Sequence, residues 1–427
     1  MNYEESIKYI HSTPKFSRVL GNDVLRKLLR VLGDPQKTLR FIHIGGTNGK
    51  GSVSAVCASV LKEAGYVTGM FTSPYIERFN ERIRINGVPI EDGELAECVT
   101  AVREAMEKSG YFVSEFALGM TAAFLYFKKK KCDFVVLEVG MGGLLDGTNV
   151  IDESIVTVIT LIGLDHTRYL GDTIERIAAE KCGIIKEGGR VVTYPKQKKE
   201  ALGVIREYCD KKNAGLIIPG MPERTGTGFI YNGKIFEFPL IGSYQPYNAV
   251  MAIEAIEVMR GIGINITDES IYEGIKKVRW PARCEKVIDD PEVYIDGAHN
   301  PDGMSGLCDT IKYLRDINGK KVYIAAAMME DKNIEDCIGV ISEISDRFYA
   351  ARFDDPRCAG AEYTAAYSKC RDTVVCPDAE DAIKRIIKDA RDDGNAMVWI
   401  CGSLYFAGRA RKFIRACLVS GNHRIFE

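Results

Sequence analysis

The sequence has 427 residues, enough for about two to three domains at roughly 150 residues each, which excludes a single small binding module. Hydrophobic residues at 46% and charged residues at 27% form a globular balance that excludes wholesale disorder and a disulfide miniprotein. Lys and Arg number 57 against 59 Asp and Glu, a net charge of -2. No global basic field is therefore present to hold a nucleic acid or an anionic membrane, and any polyanionic ligand must be captured locally.

The first thirty residues alternate charges with apolar positions and contain no continuous h-region. The longest apolar stretches, Ser154–Leu164 and Val322–Met329, fall short of the roughly 20 residues that cross a bilayer. The 13 cysteines are scattered without a Cys-x-x-Cys pair, which predicts buried, reduced thiols and a cytoplasmic setting. With only 5 histidines, a His-rich metal centre is not expected.

In chain order, the strand Phe41–Ile44 leads through a Gly-rich turn into a helix over Ser52–Ala64, followed by buried strands at Tyr66–Phe71, Phe134–Val139 and Ile155–Leu161. Lys128–Lys131 marks the solvated end of a helix, and Ile174–Lys181 reads as a further helix. This alternation predicts a parallel sheet covered by helices. Leu216–Leu240, with Pro-Gly, Thr-Gly and Asn-Gly signals, predicts a hairpin elaboration. Strands at Glu292–Ile295, Val322–Ala327, Phe348–Ala351, Thr373–Val375 and Met397–Cys401 start a second α/β unit. The boundary is expected near Cys284–Pro291, where Asp289-Asp290-Pro291 breaks regular structure.

Gly46-Thr47-Asn48-Gly49-Lys50-Gly51-Ser52 lies between the first strand and its helix. Glycines let backbone N–H groups approach phosphate oxygens, the helix start adds positive potential, Lys50 adds a mobile charge, and Ser52 offers a hydroxyl to a metal. The spacing departs from the strict phosphate-loop pattern, since Ile44 stands at the first Gly position and Gly51 separates Lys50 from Ser52. A ligand-free glycine turn is the alternative. Glu138 ends an apolar strand and would emerge at the carboxyl edge of the sheet, where oxygen ligands for Mg2+ are useful; a surface strand end is the competing reading. His166 follows another buried strand beside Asp165 and stands open between a structural and a ligand role.

These residues, with Thr72-Ser73-Pro74, Phe79–Ile83, Glu138–Gly143, Leu145–Asn149, Ile162–His166, Glu180–Lys186, Gln245–Ala249, Trp280–Glu285, Asp296–Pro301, Asp331-Lys332 and Gly402–Tyr405, follow one another as in folylpolyglutamate and dihydrofolate synthases. The opening Tyr9–Ser12 before Pro14-Lys15-Phe16 is similar too. The resemblance spans nearly the whole chain and includes the wider Mur ligase group. It implies a parallel-sheet ATPase domain of the Mur ligase kind over residues 1–284. A smaller Rossmann-like α/β domain that binds the amino acid would follow over 285–427.

The resemblance also implies an ATP-dependent amide ligase of folate biosynthesis and one-carbon metabolism. ATP would phosphorylate a substrate carboxylate, and the amine of L-glutamate would attack the acyl phosphate on a folate-type acceptor. Small molecules are then the partners of a monomer, with no nucleic acid or membrane. Thr47, Asn48, Gly49, Lys50, Gly51 and Ser52 would cradle the triphosphate. Ser73, Glu138 and His166 would hold Mg2+, with a monovalent cation such as K+ as a further implied ion. Lys181 resembles a lysine carbamylated in many members; on pattern alone it is an ordinary helix lysine. Asn248 and Arg283 resemble nucleotide contacts, and Asp296 and His299 a ribose, γ-phosphate or catalytic pair, where pattern alone allows a plain turn with a surface His.

Several positions depart from the family pattern. Tyr75 and Tyr244 replace histidines, Leu144 an arginine, and Ala117 and Met120 a glutamate and a threonine. Loss of such polar recognition can change specificity by orders of magnitude, so an amino acid ligase with another carboxylate acceptor is the alternative substrate reading. A non-catalytic nucleotide-binding regulator is disfavoured because Glu138, His166 and Lys181 are all present. A peptidoglycan-precursor ligase would need a further domain ahead of Gly46, and a dinucleotide-dependent dehydrogenase a G-x-G-x-x-G after the first strand.

Overall fold

The computed structural model describes residues 1–14 and 21–419; Lys15 and Phe16 of the opening motif lie outside the described residues. By packing, the chain divides into two units: 1–163, 167–239 and 246–278 form the first, and 164–166, 240–245 and 279 onward the second. The main break at 278/279 thus precedes the 284/285 division expected from sequence, and two short segments change sides.

The first unit is built on strands β1 (Phe41–Gly45), β2 (Thr68–Phe71), β3 (Ile83–Ile85), β4 (Val88–Pro89), β5 (Phe134–Glu138), β6 (Val156–Ile159), β7 (Arg190–Thr193) and β8 (Gly215–Ile217). They run in the order β4-β3-β2-β5-β1-β6-β7-β8. Pairing is parallel from β2 through β8, and β3 and β4 extend one edge in antiparallel fashion. Every residue of β1 and β5 is buried, as in strands covered on both faces. Phe41, Phe71, Val135 and Leu137 join Leu118, Phe124 and Phe127 in one apolar cluster, while Ile159, Val191, Ile177 and Ile205 build another.

The expected elaboration is a separate three-stranded antiparallel sheet, β9 (Glu223–Arg224), β10 (Gly228–Tyr231) and β11 (Lys234–Glu237). Beyond it, the helix Asp268–Lys277 returns to pack on the helix Lys50–Glu63. Gly274 makes that approach possible, because a Cβ there would lie 2.5 Å from Val60 Cα; Ser59 Oγ donates to its carbonyl.

The second unit holds β12 (Glu285–Asp289), β13 (Glu292–Ile295), β14 (Lys321–Ala326), β15 (Arg347–Ala350), β16 (Thr373–Val375) and β17 (Ala396–Cys401), ordered β12-β13-β17-β14-β15-β16. All pairs are parallel except β12 with β13. The Asp289-Asp290-Pro291 break is therefore the turn of a hairpin inside this unit and not a linker between domains. Trp399 stacks on Tyr294 at 4.5 Å between ring centroids, in a core shared with Met304, Ile324, Ile338 and Phe348.

Candidate active site

In the first unit the glycine turn carries the clearest chemistry. Gly46 and Gly49 adopt φ of 135° and 95°, conformations that side chains disfavour. Space also demands glycine: a Cβ at Gly46 would fall 1.9 Å from Thr160 Oγ1, and one at Gly49 2.4 Å from Asn248 Oδ1. The rear of the turn is fixed by the Thr47 and Asn48 N–H groups, which donate to Leu161 O at 2.9 and 3.1 Å. The helix starts at Lys50, two residues before the expected Ser52, and no side chain caps it. Its first N–H groups and dipole are thus offered to an anion.

Two ammonium groups serve this turn. Lys50 Nζ donates to Gly46 O at 3.2 Å and to Thr47 O at 3.0 Å. Lys181, which is buried, donates to the same Gly46 O at 2.8 Å. Beside them the Ser52 and Thr160 hydroxyls are buried with no hydrogen-bond partner, an arrangement that costs free energy unless a ligand completes it.

Glu138 is the last residue of β5 and is buried, and its Oε2 accepts the Ser73 N–H at 3.2 Å. The structure thus brings Ser73 and Glu138 together, whereas His166 packs within the second unit. The following loop is organised by Asp146, which accepts from Met141 N, Thr148 N and Thr148 Oγ1 at 2.9, 2.9 and 2.6 Å. Because Thr148 Oγ1 donates to Asp146, it accepts from His43 Nε2 at 2.9 Å, which leaves His43 Nδ1 bare. Burial, aided by the charge of Lys186, pushes the His43 pKa down to about 3. Asn149 ties the loop to the helix Ile174–Cys182 region by donating to Leu144 O and Gly183 O. Gly143 permits this contact, since a Cβ there would sit 2.5 Å from Glu180 O.

In the second unit the turn after β13 is built around Asp296, which is buried. Its Oδ2 accepts from Cys284 N at 2.8 Å and Tyr244 OH at 3.0 Å, and its Oδ1 from Ala298 N at 2.7 Å. Both oxygens face inward and hold the turn. His299 presents Nδ1 to Gly297 O at 2.8 Å and Nε2 to Asp165 Oδ2 at 3.4 Å. Asp165 also accepts from Lys332 at 2.6 Å and Asn300 at 3.1 Å. Burial would raise its carboxyl, yet the hydrogen bond and charge of His299, with His166 and Lys332, hold it well below the usual carboxylate range. His166 adopts a φ of 51°, and its N–H is fixed by Asp165 Oδ1 at 2.8 Å.

Sequence reading missed Asp165, Lys332 and Asn300 as a cluster, and Thr160 as the floor of the turn. The available signals were the acid directly before His166 and the motifs Asp296–Pro301 and Asp331-Lys332, which carry Asn300 and Lys332 without showing that they meet Asp165. Of the family departures, Ala117 and Met120 lie in the core, Leu144 is half exposed, and Tyr244 serves Asp296. Tyr75 packs its ring on Phe79 with Arg82 over it.

The chain matches the model of the Mur ligase middle domain over residues 44–256 and that of the Mur ligase glutamate ligase domain over 282–404. Fold and site thus define a Mur-type ligase, an ATP-dependent former of amide bonds. The dihydrofolate synthase/folylpolyglutamate synthase of Bacillus subtilis is 38% identical, covering 97% of this chain and 99% of that protein. The folylpolyglutamate synthase of Lacticaseibacillus casei is 35% identical, covering 96% and 98%. An Escherichia coli FolC structure in complex with DHPP and ADP superposes with a TM-score of 0.87 at 26% identity, over 97% of this chain and 98% of that one. The chain belongs to the dihydrofolate synthase/folylpolyglutamate synthase family.

Proposed function

We propose that this chain joins L-glutamate to the free carboxylate of a folate-type acceptor, with cleavage of ATP to ADP and phosphate. The observation that carries the reading is the phosphate seat: glycines at 46 and 49 forced by space, an uncapped helix start, two lysines on one carbonyl, and a buried Ser52 hydroxyl without a partner. Relatives described as folylpolyglutamate synthases support the acceptor class.

A carboxylate is a poor acyl donor, and transfer of the γ-phosphoryl group to it converts a poor leaving oxygen into phosphate. The turn Thr47–Ser52 positions the triphosphate by its backbone N–H groups, and Lys50 offsets charge on the transferring group. Asn248 packs its amide against Gly49, and Arg283 brings a planar guanidinium suited to phosphate oxygens. His299, with Nδ1 held by Gly297 O and Nε2 beside the Asp165 carboxylate, is the residue of this turn able to carry a proton, while Asp296 holds the turn in shape. Ser73 and Glu138, brought together by the Ser73 N–H on Glu138 Oε2, offer hard oxygen donors that would suit Mg2+, which would supply charge neutralisation at the phosphates; His166 is the further ligand that the family resemblance implies. Carbamylation of Lys181 would replace the ammonium group on Gly46 O with an anion at the glycine turn.

All 13 cysteines are free, and all but Cys370 are buried, which suits the reducing cytoplasm; among the described residues no helix is long and apolar enough to cross a membrane. We expect the chain to act as a monomer.

The test is steady-state ADP release with tetrahydrofolate or dihydropteroate as acceptor and glutamate as donor. Release that needs both acceptor and donor supports the proposal. Release that depends on glutamate but on neither pterin would overturn the acceptor, and release independent of both would overturn the ligase reading.

A further inference from the structure

Arg283 sits at the centre of a turn that its own sequence does not favour. Ala282 and Cys284, on either side of it, have φ of 54° and 49°, the left-handed region that non-glycine residues rarely occupy. Such conformations persist where surrounding contacts over-determine them, and they concentrate at functional sites.

The contacts that hold this turn can be followed in both directions. On one side, Cys284 N donates to buried Asp296 at 2.8 Å, and Gly297 N donates to Ala282 O at 2.9 Å. Arg283 Nη1 also donates to Ala282 O at 3.0 Å. The guanidinium lies so close to the backbone of Gly297 that a Cβ there would be 2.4 Å from Nη1. On the other side, Ala282 N donates to Glu285 Oε2 at 2.9 Å. Glu285 accepts in turn from Arg411 Nε with both oxygens, at 3.0 and 2.8 Å. Arg411 is carried by the helix Leu404–Val419, and its side chain is only 12% exposed, so the pair is screened less than a surface ion pair.

We propose that Arg411 is a positioning residue for nucleotide binding: through Glu285 it fixes the Ala282–Cys284 turn and thereby holds the Arg283 guanidinium in one orientation, ready for phosphate oxygens. Nothing in the family motifs around residues 280–285 involves Arg411, which lies 126 residues from Glu285 in sequence. The inference rests on the reading above that Arg283 contacts the nucleotide. The chemistry is that of a charged tether. Glu285 can hold the Ala282 N–H in place only while its carboxylate is itself held, and Arg411 is the group that holds it.

The full-length protein tests this by isothermal titration with ADP and by steady-state kinetics. Arg411→Ala is expected to weaken ADP binding and raise the KM for ATP about tenfold, while kcat and the KM values for acceptor and glutamate shift less than about threefold. Arg411→Lys, which keeps a cation for Glu285, should recover most of the loss. Glu285→Gln, which retains an acceptor for Ala282 N–H, should fall between wild type and Arg411→Ala. An Arg411→Ala protein that melts at a lower temperature but binds ADP with wild-type affinity would overturn the proposal and leave Arg411 a purely structural residue; if that variant fails to fold, unchanged ADP affinity in Glu285→Gln would do the same. Arg283→Ala separates the two layers. Unchanged ADP affinity in that variant defeats the nucleotide reading of Arg283, whereas weakened affinity there with none in Arg411→Ala defeats the tether alone.

Discussion

Ser52→Ala should make the ligand-free protein more stable and the enzyme nearly inactive. In the structure the Ser52 hydroxyl is buried without a hydrogen-bond partner, and a group so placed costs about 1–3 kcal/mol of unrecovered hydration. Removing one oxygen leaves a void smaller than a methyl group, which returns less than about 1 kcal/mol of that gain. The net expectation is roughly 0.5–2 kcal/mol of added stability, or about 1–6 °C in the melting of a unit of this size. Turnover should move the other way, by about 100-fold, the usual effect of losing one group aimed at developing charge. Thermal melts without nucleotide, melts with saturating ATP and Mg2+, and turnover on the same preparation form the assay. Wild type should gain more from nucleotide than the variant does. A variant that melts lower without ligand yet turns over normally would refute the reasoning, because the hydroxyl would then be an internal structural bond and not a vacant ligand position.

Gly49→Ala should cost about 1–2 kcal/mol of backbone strain at φ 95° and displace the Asn248 amide, weakening ADP binding at least about fivefold to thirtyfold by titration. For pH, His43 is held at about 3 against 6.5 for a free imidazole, so between those values the unfolded chain binds a proton that the folded one does not, and stability falls as pH falls through that window. Its share of the loss between pH 8 and pH 5 is about 2 kcal/mol; His43→Gln, which keeps a donor for Thr148, should lose that slope, and parallel urea-unfolding curves for the two proteins would contradict it.

What was legible in sequence was what lies contiguous in it. The Gly46–Ser52 turn shows its chemistry because one short run supplies glycine, lysine and serine between a strand and a helix. Glu138 shows because an apolar run ends on an acid. The Asp165 cluster was invisible because its partners Asn300 and Lys332 lie 135 and 167 residues away, and no local pattern encodes such a meeting. Lys181 sits at an unremarkable helix position, and only its burial against Gly46 O sets it apart; pattern alone favoured a solvated side chain. The β12–β13 hairpin was misread since Asp-Asp-Pro is both a linker signal and a turn signal, and pairing decides between them. The return of the helix Asp268–Lys277 to the first unit depends on the missing side chain of Gly274, a steric fact with no periodicity to announce it.

The carbonyl of Gly46 receives ammonium groups from both Lys50 and Lys181. A chain that is slightly acidic as a whole therefore concentrates like charge at one oxygen, and nothing in its isoelectric point reveals it. Everyday buffer components acquire significance on this account: inorganic phosphate, pyrophosphate and sulfate are small mimics of the triphosphate proposed to sit at this turn. Rates recorded in phosphate buffer will differ from those in an amine buffer at equal ionic strength, as competition at one address and not as general screening.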